Sequence, residues 1–200
     1  TQSRSSAASD VYKRQVTSPA LGTTGDTTGG LDEYYMLALN TDAAKADYSQ
    51  DNIFGFTSTT FSVGYTGSIN EVNNSSYSYI AYVFLNIEGY SKAGMYTANN
   101  NADGPFVYTG FKPAFVMIKA LDVANQDWII CDYARDPYNP VDGKLYPNED
   151  VVESTGSAIF DFISNGFKLL DNSYNNNALA GDDFLYVAFA ESPFKYSNAR

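Results

Sequence analysis

The chain has 200 residues, 12 Lys+Arg against 23 Asp+Glu for a net charge of -11, no histidine, one cysteine, one tryptophan, 17 Tyr and 13 Phe. Without imidazole there is no Ser-His-Asp or Cys-His machinery and no histidine zinc site, and one cysteine makes neither an internal disulfide nor a thiolate cluster. The acidic balance argues against nucleic acid or anionic membrane as partners, since both demand a basic face, and no apolar run approaches the ~20 residues that span a bilayer.

In chain order, Ser5-Ser-Ala-Ala-Ser-Asp-Val-Tyr-Lys-Arg-Gln15 comes first. It resembles the in-frame translation of a transposase adapter used in sequencing libraries, so residues 1–15 are expected to be non-native and are set aside from fold reasoning. Without Arg4, Lys13, Arg14 and Asp10 the balance is 9 basic to 22 acidic residues, a net charge of -13. Residues 18–30, rich in Gly, Thr and Ser, read as a loop. Short β-branched and aromatic runs follow, each bounded by Asn, Asp, Gly or Pro: residues 34–39, 59–63, 77–87, 106–108, 115–120, 128–133, 159–163, 166–170 and 184–190. Several alternate with the period of two of a half-buried strand, with Ile80, Tyr82 and Phe84 on one side of one run and Leu185, Val187 and Phe189 on one side of another. Only residues 41–48, with their alanines, read as a candidate short helix. Many short strands with turn chemistry between them predict an all-β fold of sandwich or barrel type.

An internal repeat organises these runs. Tyr79-Ile-Ala-Tyr-Val-Phe-Leu-Asn86 aligns with Phe184-Leu-Tyr-Val-Ala-Phe-Ala-Glu191, Phe56 and Phe61 with Phe162 and Phe167, and Leu37, Asn40 and Asp42 with Leu145, Asn148 and Asp150. The offset drifts only from 108 to 104 residues, which indicates a tandem repeat with small loop changes. The expected organisation is a first antiparallel β-sandwich unit over residues 16–92, truncated at its N-terminal side, and a complete second unit over residues 93–200. The first two strand candidates of the second unit, 111–120 and 127–132, would have their counterparts upstream of residue 16.

No catalytic constellation is expected. Carboxylate pairs exist at Asp182-Asp183, Asp132 with Asp136, and Glu149-Asp150, but a chain so rich in acids supplies some pair for any glycosidase template. Oxygen-rich loops suit a hard cation, which makes Asp171, Asn172, Asp182 and Asp183 candidate ligands of a structural Ca²⁺, against ordinary Asn-rich turns. The string Asp132-Tyr-Ala-Arg-Asp-Pro-Tyr-Asn-Pro140 places Arg135 between Asp132 and Asp136, where a guanidinium can tie a loop to the sheet, or instead anchor a ligand. Trp128 is taken as structural, and Cys131 as a small core residue. Tyr65, Tyr77, Tyr138 and Tyr174 lie in polar loops where a tyrosine could stack on a sugar ring; most other aromatics are expected to fill the core.

The strings Gly110-Phe-Lys-Pro-Ala-Phe-Val-Met-Ile-Lys119, Asp127-Trp-Ile-Ile-Cys-Asp132, Arg135-Asp-Pro-Tyr-Asn-Pro140, Phe162-Ile-Ser-Asn-Gly-Phe-Lys168 and Tyr186-Val-Ala-Phe-Ala-Glu-Ser-Pro-Phe-Lys195 resemble an uncharacterised repeat domain of virion-associated, tail-fibre-like structural proteins of marine tailed bacteriophages. The resemblance covers residues 37–200, and departs from the pattern at Cys131, where an aromatic is usual. It implies tandem β-sandwich (jelly-roll or lectin-like) units, location in the phage particle, and other virion proteins as partners. A bacterial surface glycan and a homo-oligomeric state are further expectations, although no heptad seam is present. The implied role is non-enzymatic, with a lectin-like carbohydrate-binding module as the alternative and a polysaccharide-degrading enzyme as a third reading.

Overall fold

In this computed structural model the described residues are 15–16, 35–47, 54–56, 60–63, 78–173, 175–178 and 180–193, and among them there is no helix. Twelve strands are formed: β1 (Gln15–Val16), β2 (Tyr35–Ala38), β3 (Ala46–Asp47), β4 (Phe54–Phe56), β5 (Phe61–Val63), β6 (Ser91–Thr97), β7 (Phe106–Tyr108), β8 (Pro113–Ala120), β9 (Ile129–Asp132), β10 (Phe160–Ile163), β11 (Gly166–Leu169) and β12 (Asp183–Ala190). Every paired neighbour is antiparallel, and the all-β expectation holds. The principal sheet runs β6-β12-β8-β9, a second runs β10-β11-β7, and β1-β2-β3 and β4-β5 form two smaller ones.

The strand β12 lies at the centre of the principal sheet, with β6 on one edge and β8 on the other. Its side chains alternate in direction, so Phe184, Tyr186 and Ala188 enter the core shared with the second sheet. There Tyr96 stacks on Phe184 at 5.4 Å between centroids, and Phe167 of β11 meets Tyr186 edge-on at 5.6 Å. On the other face Leu185 joins Leu121, Trp128 and Leu37 in a second buried cluster, flanked by Tyr35, Leu39, Met95 and Met117. That cluster brings residues from β2 against a sheet built almost 60 residues later in the chain.

Backbone bonds hold the early segment in place. The Lys45 N–H donates to the Leu121 carbonyl at 2.8 Å and the Gln126 N–H to the Asp42 carbonyl at 3.3 Å. The Trp128 indole N–H donates to the Ala38 carbonyl at 3.0 Å. These contacts explain why residues 41–47 are not the helix expected from their alanines. A helix would have used those amides and carbonyls internally, whereas here they serve the principal sheet and β3. The expected boundary between residues 92 and 93 falls inside β6, whose seven residues pair with β12 from Ser91 onward.

Two hairpins share one register. Phe56 pairs with Phe61 in β4-β5, and Phe162 with Phe167 in β10-β11; Phe54 with Val63 and Phe160 with Leu169 repeat the match 106 residues apart. The expected strand over 77–87 differs. Tyr77 lies outside the described residues, 78–86 form no strand, and only Ile87 makes a bridge, to Ser91. Its aligned counterpart β12 has a strand on each side. Conversely β6, with the sequence SKAGMYT, carries little strand signal of its own and is fixed by β12. Gly94 is needed there, because a Cβ would lie 2.8 Å from the Tyr186 hydroxyl oxygen.

Gly166 opens β11 where β7 crosses closely. A Cβ built there would sit 2.1 Å from the Val107 carbonyl oxygen. Gly166→Ala is therefore expected to push β7 away from β11 and to destabilise the protein by about 2–3 kcal/mol, read as a lowered urea midpoint at unchanged slope.

Candidate functional site

Arg135 follows β9 and collects three carbonyl or carboxylate partners. Its N–H and Nε donate to the two oxygens of Asp132 at 2.9 and 2.5 Å, Nη1 pairs with Glu153, and Nη2 donates to the Ile130 carbonyl at 3.2 Å. Burial by itself would raise the Asp132 pKa, but the bonds and charge of Arg135 outweigh it and hold the carboxyl below its ordinary range. Asp136 turns elsewhere and accepts from the Asp142 and Gly143 amides at 2.7 and 3.2 Å. Glu153, the guanidinium's second carboxylate, is 18 residues away and carries no sequence signal of that role. The geometry is that of a tie between the loop and β9, with each carboxylate occupied by the protein's own donors.

From this tied loop Tyr138 projects with 81 % of its surface exposed. Its neighbour Asn139 grips the outer edge of β10: the side-chain amide donates to the Phe162 carbonyl at 2.9 Å and accepts from the Phe162 N–H at 3.0 Å. Tyr65, Tyr77 and Tyr174 lie outside the described residues.

The oxygen-rich loops at 99–103 and 171–178 come together, and asparagine amides join them. Asn177, fully buried, donates from Nδ2 to Asn99 Oδ1 and to the Asn101 and Asp171 carbonyls, all at 2.8–2.9 Å, while its Oδ1 accepts from the Asn99 N–H at 3.0 Å. Asn176, also buried, donates to Asp171 Oδ1 at 2.7 Å and accepts from the Ser173 hydroxyl at 2.6 Å. The Tyr96 hydroxyl donates to the Asn176 carbonyl at 2.5 Å. Burial first, and the nearby Asp171 charge second, push the Tyr96 pKa well above its ordinary value.

Of the four residues considered for Ca²⁺, Asp171 belongs to this network and Asn172 is exposed beside it. Asp183 accepts from the Thr97 hydroxyl at 2.7 Å, and the Asp182 carbonyl accepts from the Ala98 N–H at 2.8 Å. Among the described residues no three His, Cys, Asp or Glu side chains converge as a metal site.

Two arrangements carry no signal in the sequence. Lys119 sits on β8 with its side chain fully buried, its ammonium donating to the Gln126 carbonyl at 2.8 Å and the Asp42 carbonyl at 3.3 Å. Burial lowers its pKa to about 8, against the opposing pull of Asp42 and Asp127. A lysine inside the alternating pattern of a strand reads as surface, and one of its two carbonyl partners, that of Asp42, lies 77 residues away. The second arrangement is a cleft of about 300 Å³ lined by Asn86, Ile87, Glu88, Ser91, Lys92, Tyr108, Thr109 and Gly110. Lys92 donates to the Tyr108 carbonyl at 2.9 Å and its ammonium lies 5.1 Å from the Tyr108 ring centre. Tyr108 is 58 % exposed, so an aromatic face, a cation, a carboxylate and amide groups share one solvent-open recess.

A family model described as a domain of unknown function, DUF7483, matches residues 13–193, and the chain belongs to that family. No curated protein and no solved structure matches it. No helix of the described residues is long and apolar enough to cross a membrane.

Lys119 makes stability depend on pH in a defined direction. Its pKa of about 8 lies below the 10.5 of an exposed lysine, so between those values the unfolded chain binds more protons and stability rises with pH. Cys131, whose thiol burial pushes up to about 12, and the buried tyrosines work in the opposite direction at the alkaline end. The difference between the parent and Lys119→Met isolates the lysine. In urea titrations at pH 7 and pH 9.5 the parent is expected to gain on the order of 2 kcal/mol relative to the variant. An equal pH response in both would remove Lys119 as the cause.

Proposed function

We propose that this member of the family is a non-enzymatic structural component of a tailed-phage virion, a repeat from a tail fibre or appendage that can meet the host surface. The observation that carries the reading is the repeated pattern. Phe56 and Phe61 align with Phe162 and Phe167, and both pairs face each other in antiparallel hairpins of one register. On this reading the chain is built of tandem β-sandwich units of jelly-roll or lectin-like type, the usual economy of an extended fibre. The ordered strings from Gly110 to Lys195 that resemble phage fibre repeats add the biological setting. The carboxylates of Asp132, Asp136, Asp142, Asp171 and Asp183 each accept a bond from the protein itself, which suits a scaffold better than a reacting centre. Its partners would be other virion proteins, and its location the particle. Reading outward along the DNA from this locus should reveal tail-morphogenesis genes; a bacterial metabolic operon on both sides would overturn the proposal.

The recess around Tyr108 favours a second reading in which the same fold binds a bacterial surface glycan. Sugars present an apolar ring face and a rim of hydroxyls, and here an exposed tyrosine lies beside Lys92, Glu88 and Asn86. Tyr138, on its tied loop, is a second aromatic platform. On a glycan array the chain should bind a restricted set of polysaccharides, with Tyr108→Ala lowering affinity about tenfold or more. Binding that survives both Tyr108→Ala and Tyr138→Ala would count against these platforms.

A further inference from the structure

Beside Tyr108 of the recess, β7 carries a second exposed ring. Phe106 and Tyr108 are 46 % and 58 % exposed, and Val107 between them is buried in the core, so both rings stand on the outward face of the strand. A glycine lies beside each. Gly166, opposite Tyr108 in the register, leaves a gap on β11 across which the Phe106 ring leans, one ring carbon 2.8 Å from the place a Cβ would take. The hydroxyl end of the Tyr108 ring lies 3.6–3.8 Å from the corresponding place at Gly110. Each ring thus rests against a residue without a side chain and keeps surface for a ligand. Alternate residues of an extended strand are about 6.5–7 Å apart, a separation that the rings of one sugar chain can bridge.

Charge narrows the ligand. Glu88 and Lys92 line the recess, and among the described residues neither takes part in an ion pair. Lys92 gives one bond to the Tyr108 carbonyl, and an ammonium carries three donors. Neighbouring hydroxyls of a neutral sugar can accept from Lys92 and donate to Glu88, which satisfies both. A polyanionic glycan would instead meet Glu88 and the field of a chain with a net charge of -11. Shape narrows it further. In an extended β-1,4-linked chain the rings form one flat ribbon that can lie on two platforms of a single strand, whereas a helical α-linked chain turns successive rings away.

We infer that β7 is the floor of a binding site for a neutral, extended β-1,4-linked glycan. Tyr108 and the recess hold one sugar ring, and Phe106 stacks on another ring of the same chain. The inference rests on the glycan reading and adds to it a second platform, a chain of at least two rings and a charge class.

Isothermal titration calorimetry with cello-oligosaccharides and N-acetyl-chito-oligosaccharides of one to four units tests it, with the β-1,4-linked mannuronate tetramer as the charged comparison. For at least one neutral series affinity should rise about tenfold or more from monosaccharide to tetrasaccharide, and the uronate should bind about tenfold more weakly than that tetrasaccharide. Phe106→Leu keeps apolar bulk beside Gly166 but offers no flat face; it should abolish the rise with length at an unchanged urea midpoint, while Phe106→Tyr should keep the rise. Tyr108→Ala should weaken binding at every length. A rise with length that survives Phe106→Leu, or tightest binding to the uronate, would overturn the inference and leave the glycan reading in place. So would failure to bind either neutral series by a chain that binds other polysaccharides on the array. A chain that binds no carbohydrate at all would overturn both.

Discussion

Every side chain of β12 from Phe184 to Ala190 is apolar, and a strand with no polar side has to be covered on both faces. Most of the architecture answers that requirement. The β10-β11-β7 sheet covers one face through Phe160, Phe162, Phe167 and Leu169. On the other face the segment at 35–47 contributes Leu37 to the cluster around Leu185, and the rings of Phe84 and Tyr90 meet Phe189. Burying each such leucine is worth about 1.5–3 kcal/mol, which gives a segment without helix or long strand a reason to stay in one place. Specific bonds then set its register, chiefly Trp128 to Ala38 and Lys45 to Leu121.

Lys119 shows how closely that cover is fitted. It lies on the face that 35–47 closes, and instead of a carboxylate in contact its ammonium has the carbonyls of Gln126 and Asp42. Carbonyl dipoles replace only part of the water lost on burial, and the lowered pKa records the shortfall. The same two carbonyls belong to the two segments that must meet, so the lysine links them at a cost in desolvation. Leu121, next along the chain but one, adds an apolar anchor at the same seam.

Asparagine does the work that a sandwich edge or a buried loop asks of a backbone. A carboxamide carries one acceptor and a donor group in the same arrangement as a peptide unit, so a single Asn can act as one residue of a missing strand. Asn86 does this on β6 at Ala93 and Asn139 on β10 at Phe162. Asn177 bonds backbone groups inside, at Asn99, Asn101 and Asp171, while Asn176 bonds the side chains of Asp171 and Ser173, so that buried polar groups there are paired. Some of the asparagines that read in the sequence as turns, Asn86 and Asn139 among them, thus take the place of a strand's neighbour.

By itself the sequence determined the all-β character and the places of most strands, because alternation and flanking turn residues are local: β7 matches the expected residues 106–108, and β8 to β12 lie within two residues of theirs. It also placed Phe162 and Phe167 on successive strands and Arg135 beside a carboxylate at Asp132. The tertiary structure alone decided the rest. Residues 41–47 did not form a helix because distant amides and carbonyls took their hydrogen bonds, and β6 became a strand because β12 offered it an edge. Residues 78–86, with better strand character than β6, form no strand. Lys119 and the recess at Tyr108 were illegible for the same reason. Each is made by segments far apart in the chain, and a residue's burial or company is a property of what the fold brings to it, not of its own neighbours in sequence.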